Sequence, residues 1–275
     1  MLISKCSKIK PDIIKTVFFY IVALLVAMGL KYHYSRAGSA DLGWILRPTV
    51  GVVETISGIR FEKEDGAGYV NENGQIIIAP SCAGVNFLII AFCMAAFSGL
   101  PCFKYSGTKA LWMGVCAASA FLLTITVNTL RIIVSIYTIK ADLHYQWMTP
   151  ERLHRIEGVF IYFIFLCLFY SILGKTIHLC NRNKILKKKR RININRISGQ
   201  TIAAAFIPFF WYGLFSMCIP FFNRAHIKNG PQFVEHCLVI FSVCLAVFLL
   251  IFLIQLCCRR IGSKIGCDDK DPFYL

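Results

Sequence analysis

Residues 80–101, PSCAGVNFLIIAFCMAAFSGLP, carry no charged side chain, and the run 85–100, ended by Pro101, reads as a helix that crosses a lipid bilayer. The rest of the 275-residue chain supports that reading. It is 57% hydrophobic, 14% aromatic and only 16% charged, with a mean hydropathy of +0.62. No soluble domain needs so much apolar surface, and disorder is excluded by the same composition. Neither the 19 glycines nor any fixed-period self-similarity supports a collagen-like or repeat architecture.

Working outward, further apolar runs stand at residues 13–30, 110–139, 159–173, 202–219 and 234–256, making about six expected spans. Lys15 lies near the end of the first, where its stem snorkels to the headgroups, and no small-residue cleavage site follows, so this run is an anchor rather than a signal peptide. Asn128 and Arg131 interrupt the long third run, and Pro208 kinks the fifth without excluding it. The expected fold class is an all-α integral membrane protein with an interfacial helix and a small β-hairpin in its first outer loop.

Orientation follows from Lys and Arg. Between Lys175 and Arg196 they accumulate without a single acid, which places that loop in the cytoplasm. Both termini and the turn with Lys104 and Lys109 then fall on the same side. The net charge of +16 (30 Lys and Arg against 14 Asp and Glu) is accordingly a topology and lipid-anchoring signal. Without interleaved aromatics or a binding module it does not indicate nucleic acid. Two loops face outward, 31–81 and 140–157. In the first, residues 41–57 place apolar side chains at helical spacing around Arg47, Pro48 and Glu54, too polar and short to span. Were they to span, the topology upstream would invert. Acidic Glu62, Glu64 and Asp65 follow, then strand-forming residues around the Asn73-Gly74 turn signal.

Three residues concentrate the chemistry. Cys82 stands where a strand stops and a membrane helix begins, with unpaired N–H groups and the positive helix end favouring its thiolate. Ser81 is the expected cap, Ala83 and Gly84 leave room for a substrate backbone, and Asn86 shares a face with Cys82. Arg131, with Asn128 three residues earlier, is an ionisable group inside a span and so a functional candidate. His154 begins the fourth span behind Thr149 and Pro150, and Glu157 can orient its imidazole. The histidines at 33, 144, 178, 226 and 236 lack such company, with His144 the fallback for His154. The thirteen cysteines are scattered, without C-x-x-C pairs. Cys218 and Cys237 flank the outer loop between spans five and six and pair only if the fold brings them together, while Cys257 and Cys258 sit by Arg259 and Arg260, a weak acylation signal. No H-E-x-x-H pair or cofactor motif is present, so no metal or cofactor is expected.

Ser81-Cys82-Ala83-Gly84, Asn128-Thr129-Leu130-Arg131-Ile132 and His154-Arg155-Ile156-Glu157-Gly158 resemble, in order and spacing, the three blocks of the exosortase and archaeosortase family of membrane cysteine transpeptidases. Ala83 replaces the serine of many members. The loop 41–78 and the approach 149–152 are similar to the exosortase K subgroup. The resemblance covers residues 13–175, taken as the membrane catalytic core between a cytoplasmic segment 1–12 and a basic cytoplasmic loop 176–200. Two additional helices in 201–258 and a cytoplasmic tail 259–275 lie outside it. It implies an enzyme of the bacterial cytoplasmic membrane with its site facing outward. Its partners would be membrane lipids and exported proteins bearing a carboxy-terminal motif, a transmembrane helix and a basic cluster. Cys82 would be the nucleophile, His154 the general acid and base, and Arg131 the group that stabilises the oxyanion or positions the carbonyl, with Asn86, Asn128 and Glu157 supporting them. The residues alone also accommodate a non-catalytic membrane scaffold or transporter component, or a Cys82-dependent acyltransferase.

Overall fold

The computed structural model describes residues 11–74, 76–140, 149–185, 195–222, 227 and 229–265. The amino-terminal segment 1–10, most of the basic loop, residues 141–148 with His144, residues 223–226 with His226, and the tail from 266 lie outside the described residues. Seven α-helices are described: α1 (Pro11–Arg36), α2 (Gly43–Ser57), α3 (Val85–Gly99), α4 (Ser106–Lys140), α5 (Pro150–Ile185), α6 (Asn195–Phe222) and α7 (Gly230–Ile265). Five helical segments are long and apolar enough to cross a membrane: Asp12–Arg36, Pro80–Cys102, Ser106–Thr138, Arg152–Ile177 and Gly230–Ile254. The fifth expected span, in α6, has a shorter apolar segment, Phe206–Phe221, and contains Pro208 and Pro220. The chain is a multi-pass, all-α membrane protein.

The opening stretch of sequence makes the centre of the bundle. From Val85 to Ala96 every α3 residue except Asn86 is buried, because this helix is apolar on all faces and packs against α1, α4, α5 and α6. α1 and α7 instead leave much of their apolar surface uncovered, as helices facing lipid do. At one end of the bundle Lys109 is only 1% exposed. Its Nζ donates to the Leu100 carbonyl at 2.9 Å and to Thr16 Oγ1 at 2.8 Å. A cation on the last carbonyls of α3 complements the helix dipole, so this lysine ties α1, α3 and α4 together.

The first loop adds α2 and a three-stranded antiparallel sheet, β1 (Phe61–Glu64), β2 (Gly68–Asn71) and β3 (Ile77–Ile78), in the order β1-β2-β3. The turn around Asn73-Gly74 joins β2 to β3: Gly74 N–H donates to the Asn71 carbonyl, and Asn71 Oδ1 accepts from Ile76 N–H. The acidic stretch supplies a third strand beyond the expected hairpin. Phe61 anchors it while Glu62, Lys63 and Glu64 point outward, and backbone pairing is indifferent to charges that stay in water. α2 is too short to span. Its apolar stripe of Ile45, Leu46, Val50 and Val53 is buried against α4 and the turn that carries Cys82, leaving Trp44, Val52 and Ile56 exposed.

Candidate active site

Cys82 occupies a 3-10 turn, Pro80–Ala83, ahead of α3. Its N–H donates to the Ala79 carbonyl at 2.8 Å, and its own carbonyl accepts a bond from Asn128 Nδ2. The N-cap of α3 is Gly84, with φ 72° and no side-chain cap, so Ser81 does not cap the helix as expected. The reason is the left-handed residue, which turns the chain sharply between the two helices and leaves Ser81 in the preceding turn. The Cβ side of Gly84 is closed by the protein itself, while the residue also lines a cavity. A Cβ there would lie 3.1 Å from Thr124, 3.2 Å from Asn128 and 3.4 Å from the Tyr162 hydroxyl.

From Asn128 a continuous set of bonds runs to His154. Tyr162 Oη donates to Asn128 Oδ1 at 2.8 Å and accepts from Arg131 Nη1 at 3.2 Å. Arg131 Nη2 lies 2.6 Å from His154 Nε2, and His154 Nδ1 lies 2.8 Å from Ser135 Oγ. A guanidinium can only donate, so Nε2 is the acceptor, the imidazole is neutral and Nδ1 carries its proton toward Ser135. Helix periodicity explains the assembly. Asn128, Arg131 and Ser135 share one face of α4, and His154, Gly158 and Tyr162 form an i, i+4, i+8 stripe on α5. Gly158 is what lets the guanidinium lie flat on α5: a Cβ there would meet Arg131 Nε at 3.0 Å. That Nε is buried with no hydrogen-bond partner.

Arg131, His154 and Tyr162 line a cavity of about 280 Å³, together with Tyr34, Ser81, Gly84 and residues of α6 and α7. Cys82 itself is half-buried between Ser81 and Gly84 and is not among the lining residues, but its thiol is within electrostatic reach of Arg131. The cavity sits where α3, α5 and α7 begin and α1, α4 and α6 end, one common end of the bundle. Two arginines and two histidines line it, with no carboxylate.

Of the six residues singled out in the sequence, the structure joins Cys82, Asn128, Arg131 and His154 in one network. Asn86 is different: it lines the cavity, but it accepts from Lys31 Nζ at 3.0 Å, because Cys82 is in the turn and not on the face of α3. Glu157 does not orient His154. It accepts from Thr138 Oγ1 at 2.7 Å, so its carboxylate is taken by another residue of α4, and Ser135 takes the orienting place. Ser135 and Tyr162 escaped the sequence reading, although Tyr162 stands one helical repeat beyond Gly158. His236, set aside for want of company, lines the same cavity as His154, because α7 packs on α5. Cys218 and Cys237 are free thiols. Among the described residues no cluster of His, Cys, Asp and Glu could hold a metal ion.

Compared with models of protein families, the chain matches that of the transmembrane exosortases (Exosortase_EpsH) over residues 11–171, more than half its length. Searches of curated proteins and of solved structures find no match.

Proposed function

The chain belongs to the transmembrane exosortase family, and from that premise we propose that it is a membrane cysteine transpeptidase that removes carboxy-terminal sorting signals from exported proteins. The observation that carries this reading is the bonded series Cys82–Asn128–Tyr162–Arg131–His154 beside one cavity at one end of the bundle. The positive-inside pattern supports reading that end as the outer face of the cytoplasmic membrane. The exosortase K resemblance of the first loop belongs to the same reading.

Cys82 Sγ attacks the scissile carbonyl carbon, and the carbonyl electrons move to oxygen. Collapse of this tetrahedral species breaks the C–N bond and leaves a thioester on Cys82, with the amine of the substrate's membrane helix as leaving group. An acceptor nucleophile then releases the carboxy-terminal acyl group and restores the thiol. Arg131 is the stabiliser of the oxyanion, its guanidinium turning from His154 to donate to the bound carbonyl.

The resting geometry adds an ordering constraint. Arg131 occupies the Nε2 lone pair of His154, so His154 cannot accept the Cys82 proton while that bond stands. When the guanidinium turns to a bound carbonyl, Nε2 is released to take the thiol proton and later to deliver it to the leaving amine. Substrate binding thereby unmasks the base. Asn128 holds the main chain of Cys82, and Tyr162 couples that hold to Arg131.

The test is co-expression with an exported protein bearing a motif, a transmembrane helix and a basic cluster, followed by mass spectrometry of its carboxy terminus. Wild type shortens the substrate and Cys82→Ala leaves it intact, a loss of at least about 10⁴-fold. Equal processing by both would remove Cys82 from the chemistry, and a fatty acyl adduct on Cys82 would establish the acyltransferase instead.

A further inference from the structure

The cavity has two walls of different origin. One comes from α3, α4 and α5, inside the residues matched to the family. The other comes from α6 and α7, which lie wholly beyond residue 171 and for which the sequence offers no role. We infer that the second wall is the specificity element of the site, with Ser216 and His236 reading the substrate side chain that flanks the scissile bond. This rests on the transpeptidase reading above.

The wall is apolar where Phe215, Ile219, Pro220 and Ile240 stand, and polar where Tyr212, Ser216 and His236 stand. A few polar groups in an apolar wall are what fix the orientation of a ligand in a pocket. Among the described residues, none of the three is hydrogen-bonded to Cys82, Arg131 or His154, so they add recognition surface rather than a step of the chemistry.

The wall is also held in register with the base. Glu235, the residue before His236, accepts from Arg152 Nε at 2.9 Å and lies 3.8 Å from Arg155 Nη1. Those arginines bracket His154 two residues before it and one after. The ion pairs therefore tether the start of α7 to the start of α5 beside the two histidines. At about 280 Å³ the cavity is near the lower limit for a ligand site, so it takes one or two residues of the substrate and not its membrane helix. The polar island selects a side chain with a hydrogen-bonding group, because an apolar analogue leaves Ser216 and His236 unpaired.

The experiment uses the full-length protein in membranes and a library of tailed substrates randomised at the two positions flanking the cleaved bond. Wild type, Ser216→Ala, His236→Gln and Cys82→Ala are compared by sequencing the products, and equal labelling of Cys82 by a small thiol reagent checks that the first three are folded. The expected result is a wild-type preference for a hydrogen-bonding side chain at one flanking position. In Ser216→Ala and His236→Gln this preference flattens and KM for the preferred substrate rises about tenfold, the equivalent of one hydrogen bond, while kcat stays within about twofold. Cys82-dependent cleavage with the wild-type profile intact in both variants overturns the inference and leaves the transpeptidase standing. Cleavage that persists in Cys82→Ala overturns the transpeptidase, and this inference with it.

Discussion

Two cations stand on the same helix and are used in opposite ways. Lys109 and Arg131 are 22 residues apart on α4, roughly 33 Å along the axis at 1.5 Å per residue, about the thickness of the hydrocarbon core. Lys109 is sealed in, and its ammonium is bonded to a helix-end carbonyl and a hydroxyl, two partners that nothing in the fold asks it to leave. Arg131 is partly exposed to a cavity and bonded to a tyrosine hydroxyl and an imidazole, partners that are themselves exchangeable, with Nε unpaired. A buried cation is structural when its bonds are to fixed main-chain acceptors, and available for chemistry when they are to groups that can change partners.

The sharpest break in this comparison is the pair Arg131→Lys and Lys109→Met. Lysine keeps the charge at position 131 but loses the fork that spans Tyr162 and His154, so kcat for tail removal falls about 10²- to 10³-fold. Lys109→Met removes the charged bonds to Thr16 and to the buried Leu100 carbonyl, which keeps only the Phe103 N–H, and this costs about 1–3 kcal/mol in stability and lowers the melting temperature in detergent, with kcat within about twofold of wild type. A folded Lys109→Met protein that no longer turns over would erase the distinction between the two ends of α4.

A smaller effect comes from Gly158→Ala. In a helix, alanine is favoured over glycine by up to about 1 kcal/mol, so stability should hold or rise. The added methyl would lie 3.0 Å from Arg131 Nε and push the guanidinium away from α5. Displacements of that order cost roughly ten- to a hundredfold in rate when the moved group must meet a transition state. A more stable and slower enzyme is the expected combination, read from kcat beside the melting temperature. Unchanged kcat would mean that the position of Arg131 is not set by α5.

The sequence made the span ends, Cys82, Asn128, Arg131 and His154 legible for one reason: each is a polar or nucleophilic residue at the edge of an apolar run, where its placement is one-dimensional. What it hid depends on how helices face one another. Ser135 and Tyr162 are ordinary residues in α4 and α5 until the two helices pack, and then they occupy the gaps between Arg131, His154 and Asn128. Glu157 was the better candidate than Ser135 on one helix, because an i, i+3 carboxylate looks closer than a hydroxyl on another chain segment. His236 and the α6–α7 wall were invisible for the same reason, since 82 residues separate the two histidines that line one cavity. Ser81 misled because a cap is inferred from residue type, whereas Gly84 ends the 3-10 turn by its backbone angle.

Ser135→Ala probes the smallest of these differences. Ser135 does not line the cavity, and among the described residues its side-chain hydrogen bond is with His154 Nδ1 at 2.8 Å. That contact keeps the Nδ1 proton in place and so keeps the Nε2 lone pair pointed at Arg131, the arrangement from which the proposed mechanism releases the base. Removing the hydroxyl lets the imidazole exchange tautomers and turn, at an expected cost of one ordinary hydrogen bond, about 1 kcal/mol, or about fivefold in kcat. KM should be little changed, because Ser135 does not line the cavity, and Ser135→Thr should restore most of the rate by returning a hydroxyl to the same Cβ. A loss in alanine that threonine does not recover would assign Ser135 to helix packing and leave His154 oriented by Arg131 alone. A full recovery would extend the contrast between the two ends of α4 to the neutral groups, since the same serine hydroxyl elsewhere on this helix, at Ser119, is bonded only to its own backbone.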